Sequence, residues 1–266
     1  MSDPIETPRL KKAARREQIL LELRLKPHLR VSDLAARFGV TTETVRRDVE
    51  ELSRAGHLRR AHGGVSAPHP GEHGDLDERR HQRIAERKHL GRFAASLVED
   101  GDTIMIDAGS TTLEFARFLA FSGKRVVAIT NSLQVAMTLG QSSEARVRLA
   151  PGAYLPAEAA VIGTETVEFL SRYNADACFI GAAGLSEVGV TEAVEGFESV
   201  KRVMLGQSRA KRLLIDSSKF GRTYFASVAR LQEIGTLITD REPEGEIARQ
   251  LGDGRVEILV PPEDAG

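Results

Sequence analysis

The sequence predicts an α/β protein in two parts: a small winged helix-turn-helix domain, then a larger α/β domain built on a mostly parallel sheet. Two observations lead to this prediction. Residues 31–64 contain two short helical patterns joined by a turn at Gly39, and a basic hairpin pattern follows them. From Gly101 onward, short apolar runs alternate with amphipathic helical patterns, as in parallel sheets that helices cover on both faces. We expect boundaries at 1–66 for the winged helix-turn-helix domain, 67–89 for a linker and connecting helix, and 90–266 for the α/β domain.

The charge of this 266-residue chain is divided unevenly between its two parts. Residues 1–66 contain 14 Lys and Arg against 9 Asp and Glu, whereas residues 67–266 contain 23 against 29. The first part therefore carries about +5 and the second about −6, which sum to the net charge of −1. A basic head on an acidic body is typical of a nucleic-acid-binding domain joined to one that does not bind nucleic acid.

Cysteine and histidine usage restricts the chemistry of the larger domain. The chain has one cysteine, Cys178, and all seven histidines lie between His28 and His89. The larger domain must therefore work without imidazole, so we expect no cofactor and no metal site there. Because no apolar run reaches about 18 residues and residues 1–10 lack the apolar core of a signal peptide, we expect a soluble cytoplasmic protein with no membrane contact.

The second helical pattern of the head has the features of a DNA recognition helix. Val45, Val49 and Leu52 share one face, which we expect to be buried, and Thr41 stands at the N-cap position. The opposite face then presents hydroxyl groups and two adjacent arginines, as major-groove recognition requires. An ordinary solvated helix face is the alternative, but the basic hairpin that follows favours the DNA-binding interpretation. The predicted DNA contacts are Thr41, Thr42, Thr44, Arg46 and Arg47 of the helix, and Arg59, Arg60 and His62 of the hairpin.

The segments flanking this helix give further expectations. A helix over residues 9–25 ends at Pro27, and its basic residues Lys11, Lys12, Arg15 and Arg16 are expected to be available to phosphates. Ser32 is expected to cap the next helix, over residues 33–38. Residues 66–74 have the proline, glycine and polar content of a linker, and residues 76–99 predict a charge-rich connecting helix whose arginines and histidines are solvated.

The body shows a regular alternation of strand and helix patterns. Candidate strands cover residues 103–107, 125–130, 146–149, 177–180, 212–216 and 236–239. Candidate helices cover residues 113–121, 133–139, 164–172, 199–209 and 244–251. Because ligands of open α/β sheets bind at the carboxyl ends of the strands, the turns that follow these strands are the candidate ligand site.

The turn after the first of these strands predicts an anion site. Asp107 ends the strand, and Gly109 with the hydroxyl residues Ser110, Thr111 and Thr112 opens a helix, whose N-terminal amides and dipole favour an anion. An ordinary capped helix start is the alternative. Lys201 and Lys219 are candidate cations, with a solvated helix residue as the alternative for Lys201. The full candidate set is Asp107, Gly109, Ser110, Thr111, Thr112, Thr130, Asn131, Gly152, Gly181, Gly184, Lys201 and Lys219.

A catalytic interpretation of the body remains open at this point. Asp107, Asp176 and Asp216, together with a lysine, would suffice for a sugar-phosphate isomerase with an accessory DNA-binding module. No acid, however, stands in a pattern with a specified base, and Asp176 and Asp240 are most simply structural. Cys178 lies in an apolar strand and is interpreted as a buried small hydrophobe.

From about residue 16 to 260 the chain resembles the DeoR family of bacterial transcriptional regulators. The head carries the family's recognition helix as VTTETVRRDV (residues 40–49), followed by HGG (62–64). In the body, the matching stretches are IDAGSTT (106–112), TNSLQVAMTL (130–139), FIGAAG (179–184), ESVKR (198–202), DSSKFGR (216–222) and LITD (237–240).

The resemblance implies a body with a fold akin to ribose-5-phosphate isomerase that serves sensing rather than catalysis. It also implies a repressor of carbohydrate or polyol genes, acting as a dimer or tetramer, that leaves its operator when a phosphorylated sugar or polyol binds. Two departures from the family lie beside the expected ligand site. Ser110 stands where threonine is more common, and Pro151-Gly152 stands where many members have Gly-Gly.

Overall fold

The computed structural model describes residues 12–25, 28–54, 58–61, 64–66, 76 and 83–262. The chain separates into two compact units, residues 1–72 and 73–266, which we call the head and the body and describe one at a time. Apart from Ser66, the predicted linker lies outside the described residues. No helix of the described residues is long and apolar enough to cross a lipid bilayer.

The head is a three-helix unit with a small antiparallel sheet, as predicted for a winged helix-turn-helix domain. Its helices are α1 (Lys12–Leu25), α2 (Val31–Phe38) and α3 (Thr42–Arg54). Its strands are β1 (His28–Arg30), β2 (Arg59–Ala61) and β3 (Gly64–Ser66), in the order β1-β3-β2. Strand β1 was not predicted. It follows directly on Pro27, which sequence reasoning used only as the end of a helix.

The head core forms on the predicted apolar face of α3. Val45, Val49 and Leu52 are buried together with Ile19 of α1 and Leu34 of α2. Burial of such side chains contributes about 1.5–3 kcal/mol each, which makes this face the main source of the head's stability.

Of the two helix caps predicted in the head, one is correct and one is wrong. The Thr44 amide donates to Thr41 Oγ1 at 3.2 Å, which confirms Thr41 as the cap of α3. The prediction for Ser32 is wrong because α2 begins at Val31, and the Ser32 hydroxyl donates instead to the Asp33 carboxylate at 3.1 Å.

The basic residues of α1 do not have the predicted role. Arg15 and Arg16 donate to the buried carboxylate of Asp48, at 2.6 and 3.1 Å, and Arg16 and Lys12 also pair with Glu51. These cations are therefore engaged with α3, because a buried carboxylate on that helix requires a counter-charge. Lys11 lies outside the described residues.

The body contains a seven-stranded sheet in which every neighbouring pair is parallel. Its strands are β4 (Thr103–Ile106), β5 (Val126–Thr130), β6 (Ala145–Leu149), β9 (Ala175–Ile180), β12 (Ser208–Leu214), β14 (Thr236–Ile238) and β15 (Glu257–Leu259). The spatial order is β15-β14-β12-β9-β4-β5-β6. The order therefore reverses between β4 and β9, which makes that pair the topological switch point of the sheet.

Helices cover both faces of this sheet, as predicted. The helices are α4 (Ile84–Ser96), α5 (Ser110–Ala120), α6 (Leu133–Leu139), α7 (Thr164–Ser171), α8 (Phe197–Gly206) and α9 (Gly245–Asp253). One apolar cluster joins α4, α5 and α6 to residues such as Ile104 and Ile106, and the other joins α7, α8 and α9 to residues such as Met105. Alternate residues of each strand thus enter opposite cores, so the strands appear as continuous apolar runs.

Sequence reasoning missed several short strands of the body. These are the hairpin of β7 (Ala153–Leu155) and β8 (Ala160–Ile162), the antiparallel sheet of β10 (Gly184–Ser186), β11 (Gly189–Glu192) and β13 (Ala226–Ala229), and β15. Each is only three or four residues long. A run of that length gives no reliable periodicity, so tertiary contacts decide whether it becomes a strand.

Helix α4 is a core element of the body rather than a solvated connector. Leu90 and Ala94 are buried, and at Gly91 a Cβ atom would lie 2.7 Å from the backbone of α5, so the two helices approach closely. The expectation that the arginines of this segment are solvated is wrong for Arg87, whose exposed fraction is 3%. The predicted domain boundary at residue 90 falls inside this helix and stays a prediction.

The ion pair between Asp48 and α1 generates a stability prediction. Asp48→Asn removes the buried carboxylate that Arg15 and Arg16 contact, so we expect the free energy of unfolding of the head to fall by about 3 kcal/mol. In the full chain, amide hydrogen exchange of α1 and α3 should become about 100-fold faster. Glu43→Gln, at an exposed position of α3, is the matched control. Exchange in Asp48→Asn within about two-fold of the parent would show that the pair does not hold these helices together.

Candidate nucleic-acid interface and ligand cleft

Helix α3 presents its predicted polar face to solvent. The side chains of Arg46 and Arg47 are 65% and 76% exposed, and the acidic group near each, among the residues that the structure describes, is that of Glu43, at 3.8 and 3.7 Å. Such exposed pairs contribute little, so both guanidinium groups are available to another molecule. Thr41 and Thr42 are exposed as well, whereas Thr44 is half-buried, with its hydroxyl 2.9 Å from that of Thr41.

The hairpin after α3 exists as predicted, but its side chains are not described. Arg59 pairs with Ser66 and Arg60 with Val65 in the antiparallel ladder of β2 and β3. The side chains of both arginines, and His62, lie outside the described residues. Their contact with DNA stays a prediction.

A cleft lies at the switch point of the body's sheet. Its lining residues follow β4 and β9, begin α5, end β11 and β12, or belong to α8 and the segment after β12: Ala108, Gly109, Ser110, Thr111, Gly181, Ala182, Glu192, Phe197, Lys201, Leu214, Ile215 and Lys219. Six of these were predicted: Gly109, Ser110, Thr111, Gly181 and Lys219 from the strand-end turns, and Lys201 as a candidate cation on a helix. The enclosed space is about 20 Å³, which holds about one water molecule.

A buried charge cluster forms the floor of the cleft, where Glu192 and Lys201 line the space and Asp107, which is buried, does not. The Lys201 ammonium group donates to Asp107 Oδ2 at 2.5 Å and to the Gly181 carbonyl at 2.8 Å, and it lies 3.0 Å from Glu192 Oε2. The Gly181 amide also donates to Asp107 Oδ2, at 3.0 Å. We call Asp107, Glu192 and Lys201 the floor cluster. The alternative that Lys201 is a solvated helix residue is wrong, since its exposed fraction is 2%.

Burial and mutual attraction act in opposition on the pKa values of the floor cluster. Burial raises the pKa of Asp107, because Lys201 and the Gly181 amide only partly offset the loss of water. Burial alone would lower the pKa of Lys201, but the carboxylates of Asp107 and Glu192 outweigh it and raise that pKa. The raised pKa keeps Lys201 protonated at neutral pH, held between two acids.

The start of α5 forms one wall of the cleft. The first amides of a helix have no partner within the helix, and those of Ser110 and Thr111 belong to residues that line the cleft. Thr112 does not line it: its hydroxyl donates to the carbonyls of Asp107 and Gly109, at 3.0 and 3.2 Å, and so stabilises the turn. An anion at this end of the cleft would meet amide donors and the positive end of the helix dipole.

The remaining predicted ligand residues lie outside this cleft. Thr130 and Asn131 follow the neighbouring strand β5, where the Thr130 hydroxyl accepts from the Ser132 amide and the Asn131 side chain donates to the Val161 carbonyl. Gly152 has φ +147°, and a Cβ atom there would lie 2.1 Å from Thr166 Oγ1. At Gly184, a Cβ atom would lie 2.2 Å from the Arg222 carbonyl. Close backbone packing explains both glycines, and their ligand contacts stay predictions.

Sequence reasoning did not identify Glu192 or Phe197 as site residues. Glu192 ends β11, a strand too short to predict, and Phe197 begins α8 with its ring centroid 5.7 Å from Lys201 Nζ. The signal for Glu192 was weak, because it stands beside Thr191 in the segment VTEAV (190–194), which is not a continuous apolar run. Cys178 is fully buried as predicted, and burial raises the pKa of its thiol to about 11.

An exposed arginine pair on a winged-helix unit, joined to an α/β unit with a ligand cleft, defines a DNA-binding regulatory protein. The sequence profile of the DeoR-like helix-turn-helix domain matches residues 15–70, and that of the DeoR C terminal sensor domain matches residues 82–241. The chain therefore belongs to the DeoR family of transcriptional regulators, which confirms the resemblance found in the sequence.

Named relatives of the chain are transcriptional repressors. The chain is 34% identical to the HTH-type transcriptional repressor GlcR of Bacillus subtilis (strain 168), over 91% of this chain and 94% of the relative. It is 28% identical to the glycerol-3-phosphate regulon repressor of Escherichia coli (strain K12), over 94% of this chain and 99% of the relative. Among solved structures, ribose 5-phosphate isomerase A from Methanocaldococcus jannaschii matches 51% of this chain and 54% of its own, with 21% identity and a TM-score of 0.39.

The floor cluster generates a prediction on stability and its pH dependence. In Lys201→Met, two buried carboxylates lose their cation, so the free energy of unfolding of the body should fall by about 3–5 kcal/mol near pH 7. The pKa of Asp107, which burial already raises, then rises further above its unfolded value. The folded variant therefore binds more protons than the unfolded chain, and its deficit relative to the parent should shrink as the pH falls. Urea unfolding at about pH 8 and pH 5.5 measures both effects.

Two controls accompany this measurement. Adding Glu192→Gln to Lys201→Met removes one unpaired charge and should recover part of the loss. Lys88→Met replaces an exposed lysine of α4 and should change little. A loss below about 1 kcal/mol at both pH values would contradict the electrostatic account of this cluster.

Proposed function

We propose that this protein is a transcriptional repressor of carbohydrate or polyol metabolism genes that leaves its operator when a phosphorylated sugar or polyol occupies the body's cleft. The observation that carries the proposal is the make-up of that cleft. Its upper wall offers the first amides of α5 together with Lys219, and its floor offers buried carboxylates. Phosphate esters of polyols carry the two matching groups, an anionic phosphate and neighbouring hydroxyl donors.

The DNA side of the proposal rests on the exposed face of α3. Its arginines and threonines are of the types that read base edges and adjacent phosphates in the major groove. We propose that Thr41, Thr42, Thr44, Arg46 and Arg47 contact the operator through α3. The hairpin residues Arg59, Arg60 and His62 would contact the neighbouring backbone or minor groove. A homodimer or homotetramer would present two such helices to paired half-sites, and light scattering with size-exclusion chromatography measures the oligomer.

The ligand part of the proposal depends on the two ends of the cleft, of which one favours an anion and the other favours hydrogen-bond donors. The phosphate would bind at the N-terminus of α5, where Lys219 supplies a cation and the helix dipole favours negative charge. The hydroxyl groups would donate to Glu192 and to Asp107 Oδ1, a buried oxygen that has no hydrogen-bond partner among the described residues. A ligand that lacks either group would leave one end of the cleft unsatisfied.

An isomerase is the competing function, since a buried lysine beside two carboxylates also resembles proton-transfer machinery. Against it, Lys201 is held as a cation between two acids and cannot accept a proton in that state. We propose that the protein is not an enzyme. Incubation with ribose 5-phosphate, glucose 6-phosphate and fructose 6-phosphate, followed by chromatography of the sugars, should show no interconversion.

The ligand class is tested by thermal shift. Glycerol 3-phosphate, glucose 6-phosphate and fructose 6-phosphate are each compared with the unphosphorylated compound and with inorganic phosphate. We expect at least one ester to raise the melting temperature, since a ligand that binds only the folded state stabilises it. Equal stabilisation by an ester and its unphosphorylated counterpart would indicate a regulator whose ligand is not phosphorylated.

Lys219 provides the sharpest test of the phosphate end. Lys219→Gln should weaken ester binding by about ten-fold or more while leaving operator binding within about two-fold of the parent. Lys88→Gln, at an exposed position of α4, is the control. Calorimetry with the stabilising ester and a fluorescence anisotropy assay on operator DNA measure the two affinities. Unchanged ester affinity in Lys219→Gln would remove this residue from the binding site.

Arg47 provides the matching test of the DNA interface. Arg47→Ala should weaken binding to an operator selected from random duplexes by about ten-fold or more, because a base-contacting arginine contributes about 1–3 kcal/mol. Binding to unrelated DNA should weaken much less. Arg209→Ala replaces an equally exposed arginine of the body and serves as the control. Unchanged operator affinity in Arg47→Ala would exclude it from the interface.

A further inference from the structure

The segment after β12 has one side in the cleft and the other against α4. Leu214, Ile215 and Lys219 line the cleft. Between them, the carboxylate of Asp216 is buried and faces the first turn of α4. We call residues 216–219 the 216 turn. This short 3₁₀ turn contains both Asp216 and Lys219 of the cleft wall. A movement of the wall at Lys219 would therefore also move Asp216.

Two arginines connect the 216 turn to α4. Arg83 Nη2 donates to Asp240 Oδ2 at 2.8 Å, and Arg83 Nε lies 3.5 Å from Asp216 Oδ1. Arg87 Nε lies 3.7 Å from Asp216 Oδ2. Asp240 in turn accepts from the amide and the hydroxyl of Ser217, at 2.5 and 3.0 Å. We call Arg83, Arg87, Asp216 and Asp240 the α4 ion-pair cluster.

The charges of this cluster are maintained in a poorly solvated position. Burial would raise the pKa of Asp216, but the Ser218 amide, Lys219 and the two arginines outweigh burial and lower that pKa. The Asp216 contacts, at 3.5 and 3.7 Å, exceed the roughly 2.7–2.9 Å of charge-assisted hydrogen bonds. An approach of the turn toward α4 by less than about 1 Å would bring these ion pairs to the distance of charge-assisted hydrogen bonds.

Arg83 also has an unusual backbone conformation. Its φ of 48° and ψ of 45° lie in the left-handed region, which is unfavourable for a residue with a side chain. Strain of this kind persists only where surrounding contacts hold it, and here the contacts include the ion pairs with Asp216 and Asp240 and a pair with Glu86 of α4 at 3.2 Å. Loosening those pairs would favour a different backbone conformation at the residue that precedes α4.

The cleft as described holds about one water molecule, so a sugar phosphate requires its walls to separate. The 216 turn is a short part of that wall, and contacts with Asp240, Arg83 and Arg87 hold it in place. We propose that the α4 ion-pair cluster transmits occupancy of the cleft to the first turn of α4, and thereby to the chain segment that leads toward the head. This inference rests on the proposed function, and it makes Arg83 and Asp240 positioning residues that do not themselves contact the ligand.

The test separates ligand binding from its effect on DNA. Arg83→Gln and Asp240→Asn are suitable variants because Arg83 and Asp240 are partly exposed, and Lys88→Gln on the same helix is the control. For each protein, calorimetry measures the affinity for the ester that stabilised the parent. Anisotropy then measures the operator affinity with and without a saturating concentration of that ester.

We expect the ester to weaken operator binding of the parent and of Lys88→Gln by about ten-fold or more, in the usual range of allosteric coupling. Both cluster variants should bind the ester within about three-fold of the parent, yet show a change in operator affinity below about two-fold. Arg83→Lys, which keeps the charge, should recover part of the coupling. Full coupling in Arg83→Gln and Asp240→Asn would overturn the proposal.

A second measurement needs no ligand and decides the inference even if the proposed function fails. Ser217→Ala removes a donor to Asp240 without touching α4, and we expect it to change hydrogen exchange of amides 87–90. The same substitution in an Arg83→Gln background should have a clearly smaller effect, since the Arg83 pairs are absent and only the Arg87–Asp216 contact still connects the turn to α4. An equal response in both backgrounds, or none in either, would show that the cluster does not link the turn to α4.

Discussion

A charge that leaves water must lie beside an opposite charge, and this constraint determines how the main elements of the protein are joined. In the head, Asp48 holds α1 against α3 through Arg15. In the body, Lys201 lies between two acids on the floor of the cleft. Removing Lys201 leaves two buried carboxylates without their cation, which costs far more than the loss of an exposed pair. The apolar cores supply most of the stability, whereas these pairs specify which elements meet.

The same constraint separates the cations that bind within the protein from those directed to solvent. No residue near Arg15 and Arg16 in the sequence indicates their partner, yet both are bound to Asp48 of α3. Among the described residues, Arg46 and Arg47 contact the exposed Glu43 at 3.8 and 3.7 Å. Because exposed pairs contribute little, their charge remains available to a polyanion. The basic excess of the head therefore overstates its DNA-binding surface, because several of its positive charges are neutralised internally.

The parallel sheet explains why the cleft combines residues that are far apart in the chain. Because the strand order reverses between β4 and β9, their carboxyl ends leave a crevice. The α5 turn, Gly181 and Lys201 meet there, and the segment after β12 completes the wall. That segment has one side toward the ligand space and the other toward the start of α4. A ligand that binds more tightly to one position of this wall would shift the population of the protein toward it.

The sequence by itself determined the alternation of the longer helices with the central strands of the body, the recognition helix and the glycine-hydroxyl turn of the cleft. These features follow from local periodicity, helix capping and the rule that parallel strands direct their carboxyl ends to one edge. Only the tertiary structure decided that Glu192 pairs with Lys201 and that Arg15, Arg16 and Arg87 are bound internally. It also decided that Thr130 and Gly152 lie away from the cleft. The physical reason is that charge pairing and close packing act between residues distant in the chain, and no local pattern records which distant residue supplies the partner.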